Sequence, residues 1–309
     1  MLCYIGAMAA LDSARILVTG ASGLIGRALL PSLKARGFEV VCLVHGRAAG
    51  EDQIHWEPRR SLSPEAVSGF DAVVHLAGES VVGRWTNSKK AKIRESRVSG
   101  TRNLAQSLAK AAKRPRVFVS ASAIGYYGDR DAEILNEQSS PGSGFLADVC
   151  REWEAASQPA TDAGIRTALI RTGIVLSADG GALQKMLPPF RLGVGGRVGS
   201  GRQWMSWIHI QDHIGAIQHI LKNDLLQGPV NLAAPKPVIN AEFTDTLAAV
   251  LSRPAIFPVP ALAVKLLFGK MGEEVLLASQ RVEPARLVTS GYPFQYSDLR
   301  RALEAVLKK

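Results

Sequence analysis

Three glycines near the start of the chain have the spacing of a turn that holds phosphate groups. Gly20, Gly23 and Gly26 follow the short apolar run 16–18 and precede an amphipathic segment. Gly20 allows a sharp turn, Gly23 lets backbone approach a pyrophosphate, and Gly26 lets the following helix pack closely on the strand. The free N–H groups and positive dipole end of that helix would face the phosphates. The pattern predicts a dinucleotide site built from Gly20, Ser22, Gly23, Leu24 and Ile25.

The end of the second predicted strand, residues 39–44, indicates which dinucleotide is bound. Val44-His45-Gly46-Arg47 lacks the Asp or Glu that usually binds a ribose 2′-hydroxyl, and the next acid is Glu51. The Arg47 guanidinium matches the geometry of a 2′-phosphate, although an arginine in a surface loop is the alternative. We therefore expect NADP in preference to NAD, with His45 and Arg47 at its adenosine end.

Side chains that could move a proton follow the fifth predicted strand, residues 116–121. The segment 122–128 places Ser122, Tyr126 and Tyr127 where a parallel sheet binds its ligand. Ser122 could polarise a substrate carbonyl, or only hydrogen-bond to backbone at a strand end. Tyr126 and Tyr127 are candidate proton donors, with a structural hydroxyl as the alternative for each.

Other positions could contact the cofactor because they lie at predicted strand ends or face them. Arg97 could contact the cofactor or orient Ser122, and a helix-surface charge is the alternative. Arg171 could face the cofactor or form a buried ion pair. The remaining candidate contacts are Leu76, Ala77, Gly78, Glu79, Ala121 and Val175.

We predict no metal site. His209 and His213, with Asp212 beside them, have a spacing that metal ligands can have, but no further convergent ligand is evident, and Asp212 is expected to cap a helix instead. Cys150 is expected to be an apolar packing thiol. Three cysteines fit a reducing cytoplasm without a disulfide framework.

Several segments together resemble an extended short-chain dehydrogenase/reductase: Thr19-Gly20-Ala21-Ser22-Gly23-Leu24-Ile25-Gly26, His75-Leu76-Ala77-Gly78, Val98-Ser99-Gly100-Thr101, Tyr127-Gly128 and Trp207-Ile208-His209-Ile210-Gln211-Asp212. More narrowly, the chain resembles the atypical subgroup called "epimerase family protein", on SASAIGYYGD (120–129), GFLADVCREWE (144–154) and segment 186–212. The resemblance covers nearly all of residues 15–307. It implies an NAD(P)-dependent oxidoreductase or sugar-nucleotide epimerase that acts on a small polar substrate, such as a nucleotide sugar.

The resemblance is incomplete at the catalytic centre. Ser122 falls at the family's catalytic Ser/Thr position, and Arg97 replaces its usual asparagine. The family's Tyr-x-x-x-Lys pair, in which the lysine lowers the tyrosine pKa, is missing from the corresponding helix, 145–150, and no tyrosine has a lysine four residues later. A non-catalytic NADP-sensing or scaffold protein is therefore the alternative function.

The strands and helices that must position these residues indicate an α/β fold. Strands alternate with helices up to residue 172, which predicts a Rossmann-type doubly wound parallel sheet for residues 15–172. Residues 173–309 are richer in Gly and Pro and predict a smaller substrate-binding domain whose chain can return to the main sheet. Helices are predicted at 87–113, 145–163, 212–222, 240–251, 261–268 and 297–308. Residues 1–14 read as an extension, in which Met8 is an alternative start.

Bulk composition indicates an ordinary globular protein. The chain has 309 residues, of which 47% are hydrophobic and 21% charged, and a net charge of +10. No apolar run could span a bilayer, and the first fourteen residues lack the basic residues of a secretory signal. The basic residues are dispersed and no nucleic-acid motif is present. We expect a cytoplasmic monomer or homodimer without nucleic acid or membrane partners.

Overall fold

The computed structural model describes residues 14–307, so the predicted extension lies almost wholly outside the described residues. The strands in this part of the chain are β1 (Arg15–Thr19), β2 (Glu39–Val44), β3 (Gln53–His55), β4 (Ala72–His75), β5 (Val117–Ala123), β6 (Ile134–Leu135), β7 (Arg166–Thr172), β8 (Ile174–Leu176), β9 (Trp204–Met205), β10 (Trp207–His209), β11 (Gly228–Leu232), β12 (Val238–Ile239) and β13 (Arg281–Val282).

The α-helices are α1 (Leu24–Lys34), α2 (Asn87–Lys110), α3 (Phe145–Ala155), α4 (Gln158–Asp162), α5 (Gly181–Arg191), α6 (Ile210–Lys222), α7 (Asn240–Leu251), α8 (Ala261–Phe268), α9 (Ala285–Thr289) and α10 (Leu299–Leu307). Two 3₁₀ turns lie at Glu65–Val67 and Ile124–Tyr127, and a π-helical turn at Gly272–Leu277. None of the helices in residues 14–307 is both long enough and apolar enough to cross a membrane.

The main sheet has seven strands in the order β11-β7-β5-β4-β1-β2-β3, and all its pairings are parallel. The chain runs outward from β1 in one direction, then crosses to β4 and continues in the other. The strand order therefore reverses between β1 and β4, which is where a doubly wound sheet binds its ligand. The predicted Rossmann-type fold is confirmed.

Alternate residues of the central strand explain why both faces of the sheet are covered. Ile16 and Val18 enter one apolar core with Leu29 of α1 and Ile217 of α6. Leu17 points the other way and enters a second core with Leu104 and other residues of α2. A strand buried on both faces reads as a continuous apolar run, which is why β1 could be recognised in the sequence.

The second half of the chain contributes to two places. β11 returns to the main sheet as an edge strand beside β7. The remaining strands form small two-stranded sheets, β8 with β10, β9 with β12 and β6 with β13. A third core holds side chains of α5, α7 and α10. This lobe therefore stands on the carboxyl-terminal side of β7, next to the expected site.

Two sequence expectations about helices were wrong, and one helix was not predicted. The predicted helix 145–163 is two helices, because the chain turns at Ala156 and Ser157 before α4, where Pro159 occupies the first turn that proline tolerates. Helix α5 was not predicted, because Pro188 and Pro189 lie inside it. Helix α6 begins at Ile210 rather than 212, because the His209 ring caps it by accepting the N–H of Gln211, while the Asp212 carboxylate accepts N–H groups of Gln295 and Tyr296 instead.

Candidate functional site

The glycine turn after β1 is dictated by contacts with neighbouring backbone. Gly20 has φ of +71°, and a Cβ there would lie 2.7 Å from the carbonyl carbon of Leu76. A Cβ on Gly26 would lie 2.3 Å from the carbonyl oxygen of Gly20. Helix α1 can therefore begin directly beneath the turn. Leu24 and Ile25 begin this helix and are half-buried.

The N-terminus of α1 is open for an anion. Its N-cap is Gly23, which offers no side chain, and the first turn carries no acidic residue. Ser22 and Gly23 are both exposed. The positive end of the helix dipole is thus compensated by no carboxylate in its first turn. This arrangement fits a bound pyrophosphate, as the sequence predicts.

A buried chain of hydrogen bonds fixes the loop that faces the turn. The Thr19 hydroxyl accepts the N–H groups of Leu76 and Ala77, both at 3.1 Å, so its hydrogen points to His75 Nδ1 at 2.7 Å. His75 Nε2 therefore carries the ring proton and donates to Thr101 Oγ1 at 2.9 Å. Burial lowers the pKa of His75 to about 4, so the ring is neutral at pH 7.

The same series of hydrogen bonds extends to helix α3, on the other side of the site. The indole N–H of Trp153, on α3, donates to Thr101 Oγ1 at 2.9 Å. Through Thr101 the loop after β4 is tied to α2 and α3 at once. His75 and Thr101 have no exposed surface, and sequence reasoning gave them no role beyond the family resemblance.

Arg97 lies beside the loop Leu76–Ala77–Gly78–Glu79. Its Nη1 donates to the carbonyl oxygen of Glu79 at 2.8 Å, and its guanidinium lies 5.0 Å from the centre of the Trp153 ring. A Cβ on Gly78 would be 3.4 Å from Arg97 Cζ. Burial lowers the Arg97 pKa from its ordinary value. Arg97 is therefore packed against the predicted cofactor loop rather than standing free on the helix surface.

The adenosine end has a different character. His45 and Arg47 are exposed in the loop after β2, the strand next to β1. Glu51 is exposed beyond them, and the Asp52 carboxylate lies 3.5 Å from Lys34. No acidic side chain stands at the strand end itself, so the feature that favours NADP in the sequence is retained in the fold.

Ser122, Arg171 and Glu154 form a buried cluster on the face of the sheet covered by α3. Ser122 and Arg171 are paired across β5 and β7. Glu154 Oε1 accepts from Ser122 Oγ at 2.6 Å and from Arg171 Nε at 2.8 Å, while Oε2 accepts from Arg171 Nη2 at 2.8 Å. The side chains of Arg171 and Glu154 are 3% and 10% exposed.

This cluster shows the hydrogen-bond partners of two candidate residues, Ser122 and Arg171. The hydrogen of the Ser122 hydroxyl is committed to Glu154, so in this geometry Ser122 offers an acceptor oxygen and cannot also donate to a substrate carbonyl. For Arg171, the buried ion pair is the arrangement found, and all three nitrogens of its guanidinium bond to protein atoms. The carboxylate holds Arg171 charged and raises its pKa.

The two tyrosines differ sharply in availability. The Tyr127 hydroxyl is buried, accepts from Arg171 Nη1 at 3.0 Å, and lies 2.8 Å from Asn231 Oδ1 and 3.0 Å from the carbonyl oxygen of Asn136. Burial raises the pKa of Tyr127 to about 12. Tyr126 is half-buried, and its ring face lies 3.5 Å from Arg171 Cζ. Tyr127 is thus placed as a structural hydroxyl, whereas Tyr126 keeps an accessible side chain.

Two further candidates lie at the edges of this region. Ala121 on β5 is half-buried, one residue before Ser122. Val175 lies on β8 and pairs with Ile208 of β10. Cys150 is a buried packing thiol on α3, close to Gly125, and burial raises its pKa to about 12. It is therefore not a thiolate at neutral pH.

The residues with metal-ligand spacing have other partners. The His209 ring caps α6 and stacks on Tyr296. The Asp212 carboxylate accepts the N–H groups of Gln295 and Tyr296, both at 2.8 Å. His213 Nε2 lies 3.1 Å from Thr172 Oγ1. Within the described residues no group of three His, Cys, Asp or Glu side chains could hold a metal ion.

Glu154 is the main residue that sequence reasoning missed. It lies four residues after Cys150 and one after Trp153, on the buried face of α3. A carboxylate beside the buried face of an amphipathic helix requires a partner. The position of Glu154 in the helix pattern could therefore have indicated a buried ion pair or hydrogen bond. The identity of the partner was not readable, because it depends on how α3 lies across β5 and β7.

Known proteins and family profiles match most of the chain. The profile of the NAD dependent epimerase/dehydratase family matches residues 16–233, and a domain of unknown function matches residues 259–306. An epimerase family protein of Mycobacterium bovis is 40% identical over 293 residues, which cover 94% of this chain and 97% of the relative. A chloroplastic relative from Arabidopsis thaliana is 39% identical over 94% of this chain and 86% of its own length.

Solved structures agree with these matches. The crystal structure of human epimerase family protein SDR39U1 with NADPH has a TM-score of 0.88 and 36% identity, covering 96% of this chain and 99% of that one. A nucleoside-diphosphate sugar epimerase from Corynebacterium glutamicum has a TM-score of 0.78 and 38% identity, covering 96% of this chain and 58% of that one.

Proposed function

Because this chain belongs to the NAD dependent epimerase/dehydratase family, we propose that it binds NADPH and transfers hydride reversibly at a carbonyl or alcohol carbon of a small polar substrate. The observation that carries this proposal is the uncompensated N-terminus of α1 beneath a turn where only glycine fits. The human relative was crystallised with NADPH, which supports the same cofactor here. A nucleotide sugar is the substrate class that the family suggests.

The cofactor-binding residues would each have a distinct task. Backbone N–H groups of Ser22, Leu24 and Ile25 would hold the pyrophosphate, while the Gly23 N–H donates to the carbonyl oxygen of Gly20 at 3.0 Å and so shapes the turn. His45 and Arg47 would meet the 2′-phosphate, because a guanidinium can bind phosphate through two hydrogen bonds. Candidate contacts along the rest of the cofactor are Gly20, Leu76, Ala77, Gly78, Glu79, Arg97, Ala121 and Val175.

Proton transfer would fall to Tyr126, since the Tyr-x-x-x-Lys pair is missing and Tyr127 is buried. The bound nicotinamide supplies the hydride chemistry, and the protein must supply a proton donor and orientation. Tyr126 has an accessible side chain, and its ring stacks on a guanidinium that Glu154 holds in place. Ser122 would accept a hydrogen bond from a substrate hydroxyl and so orient it.

The cysteines bear on the compartment in which the protein would act. Cys42 and Cys150 are free buried thiols, and free thiols suit the reducing cytoplasm.

The test is consumption of NADPH in the presence of a panel of small carbonyl compounds that includes oxidised nucleotide sugars. We expect at least one to be reduced, and Tyr126→Phe to lower kcat about 100-fold, the order expected for loss of a general acid. The Kd for NADPH, measured by calorimetry, should stay unchanged. Tyr127→Phe is the matched control, which should lower the free energy of unfolding and leave kcat nearly unchanged.

A second candidate function is a non-catalytic protein that senses NADPH or serves as a scaffold. The commitment of Ser122 to Glu154 and of Tyr127 to Arg171 and Asn231 favours it. Calorimetric binding of NADPH without turnover of any panel member would support this alternative over the enzyme. Failure of both NADPH and NADH to bind would contradict both functions.

A further inference from the structure

Exposed apolar side chains of the second lobe are concentrated on one surface. Fifteen large apolar residues are exposed within residues 14–307, and eleven of these belong to segments 192–194 and 256–276. We call the exposed apolar side chains of these two segments the apolar face. A monomeric soluble protein rarely leaves a large contiguous apolar area uncovered, so such an area indicates a surface that binds something.

The two segments form one surface because their backbones are joined. The N–H of Phe257 donates to the carbonyl oxygen of Gly195 at 3.3 Å, and that of Val259 donates to Arg197 at 2.8 Å. Helix α8 follows directly. The π-helical turn packs on α8, where a Cβ on Gly272 would lie 2.7 Å from Val264 Cγ1.

All three leucines of helix α8 are exposed to solvent. Leu262, Leu266 and Leu267 are 67%, 74% and 67% exposed, and Val264 is its buried residue. Burial of an apolar stripe against the core normally stabilises a surface helix. Here that stripe is narrow and the larger apolar side faces outward, as in a helix that lies on an apolar phase.

The Leu192 end of the apolar face lies away from the glycine turn. Helix α5 begins at Gly181, where a Cβ would contact Leu24 of α1, and runs to Arg191. Eleven helical residues span about 16 Å. Leu192 therefore stands at the far end of α5 from the proposed pyrophosphate site. Its exposure does not reflect an open cofactor crevice.

The rim of the apolar face is basic. Segments 191–197 and 253–276 contain Arg191, Arg197, Arg253, Lys265 and Lys270, against two acidic residues. All five basic residues are exposed. In the described part of the chain, the three arginines form no ion pair with a carboxylate, since the salt bridges of this region involve only the two lysines.

Both acidic residues of the rim are already engaged. The Glu273 carboxylate lies 2.7 Å from Lys270 Nζ and 3.6 Å from Lys265 Nζ. The Glu274 carboxylate accepts the N–H groups of Phe145 and Leu146 at the start of α3. The outward charge of the rim is therefore positive, on a chain whose net charge is +10.

We propose that the apolar face docks on the surface of an anionic lipid bilayer. The leucines of α8 would enter the boundary between headgroups and acyl chains, and the arginines would meet lipid phosphates. This proposal departs from the sequence expectation of no membrane partner, because that expectation considered membrane-spanning segments and not a surface contact. A second copy of the chain is a poorer occupant, because a symmetric interface would bring the same arginines together.

The test is co-sedimentation of the full chain with vesicles of phosphatidylcholine alone and of equimolar phosphatidylcholine and phosphatidylglycerol. We expect binding to the anionic vesicles, weakened by added salt, and little binding to the neutral ones. Replacing Leu262, Leu266 and Leu267 by Gln should reduce the partition coefficient about tenfold or more. Replacing Arg191, Arg197 and Arg253 by Gln should lower the partition coefficient on the anionic vesicles about 100-fold, because each basic residue near an anionic surface contributes about a fivefold factor.

The matched control is Leu225→Gln with Val288→Gln, two exposed apolar residues outside the apolar face, which should leave partitioning unchanged. Circular dichroism and NADPH calorimetry should show that every variant is folded. Equal binding to neutral and anionic vesicles, or no binding to either, would overturn the proposal. So would a concentration-dependent dimer in light scattering that the leucine replacements abolish, since the face would then serve a second copy.

Discussion

Glu154 and Arg171 show how one buried pair can organise a site that lacks the family's usual proton-transfer residues. A carboxylate that bonds a guanidinium through both oxygens fixes Arg171 beneath the Tyr126 ring and next to the Tyr127 hydroxyl. A buried pair of this kind adds little net stability compared with apolar residues of equal volume. Its value here lies in fixed geometry, and removal of either partner leaves an unpaired buried charge.

Glu154→Gln is therefore expected to lower the free energy of unfolding by about 3 kcal/mol, because Arg171 would remain buried and charged without its partner. Urea unfolding measures the change. Glu95→Gln is the matched control: its pair with Arg59 is largely exposed, with side chains 40% and 73% accessible, and should matter by less than about 1 kcal/mol. Equal effects of the two substitutions would mean that the Glu154 pair is not structurally central.

In the proposed cofactor site, Arg47 distinguishes NADPH from NADH. Arg47→Ala should weaken NADPH binding about 10- to 100-fold, since charge-assisted hydrogen bonds contribute about 1.5–3 kcal/mol. NADH has no 2′-phosphate, so its Kd should hardly change. Calorimetry with both nucleotides checks this, with exposed Arg60→Ala as control. Parallel weakening of both nucleotides would assign Arg47 another role.

At the scale of elements, the sequence predicted what depends on local chemistry. The buried strands were recognisable from apolar runs, and α7 and α8 have their predicted bounds. Asp212 failed as an N-cap because its carboxylate is used 83 residues further on, by the N–H of Gln295. Such long-range partners, like Glu154 for Ser122, depend on how elements cross in space, and no local pattern encodes that.

The contact between α1 and the glycine turn yields a prediction at this scale. Alanine favours helix over glycine, so Gly26→Ala should stabilise an isolated α1. In the folded protein its Cβ would lie 2.3 Å from the Gly20 carbonyl oxygen and 2.7 Å from Ala21 Cα. The helix must therefore move away, at a cost of about 1–3 kcal/mol, and NADPH binding should weaken.

Thermal unfolding and calorimetry measure both effects of Gly26→Ala. Gly50→Ala is the control, because its nearest neighbour is only the flexible Asp52 side chain at 3.2 Å and its φ is not in the left-handed region. A Gly26→Ala protein with unchanged stability and NADPH affinity would show that α1 does not need this close approach.

For the whole molecule, two fully buried histidines couple folding to pH. Burial lowers the pKa of His75 to about 4 and that of His213 to about 3, from 6.5 in each case. Between these values and 6.5 the unfolded chain binds protons that the folded chain does not. The free energy of unfolding must therefore fall as pH falls through this window, and it is fully retained above about pH 7.

Two such groups give a slope of up to about 2.7 kcal/mol per pH unit near pH 5. Urea unfolding between pH 8 and pH 5 should show this decline, and His75→Gln or His213→Gln should each remove about half of the slope. His45→Gln, at an exposed position, should leave the slope unchanged. A flat stability profile from pH 8 to pH 5 would mean that both buried rings can accept a proton without unfolding, which for His75 would contradict its assignment as the hydrogen-bond acceptor from Thr19.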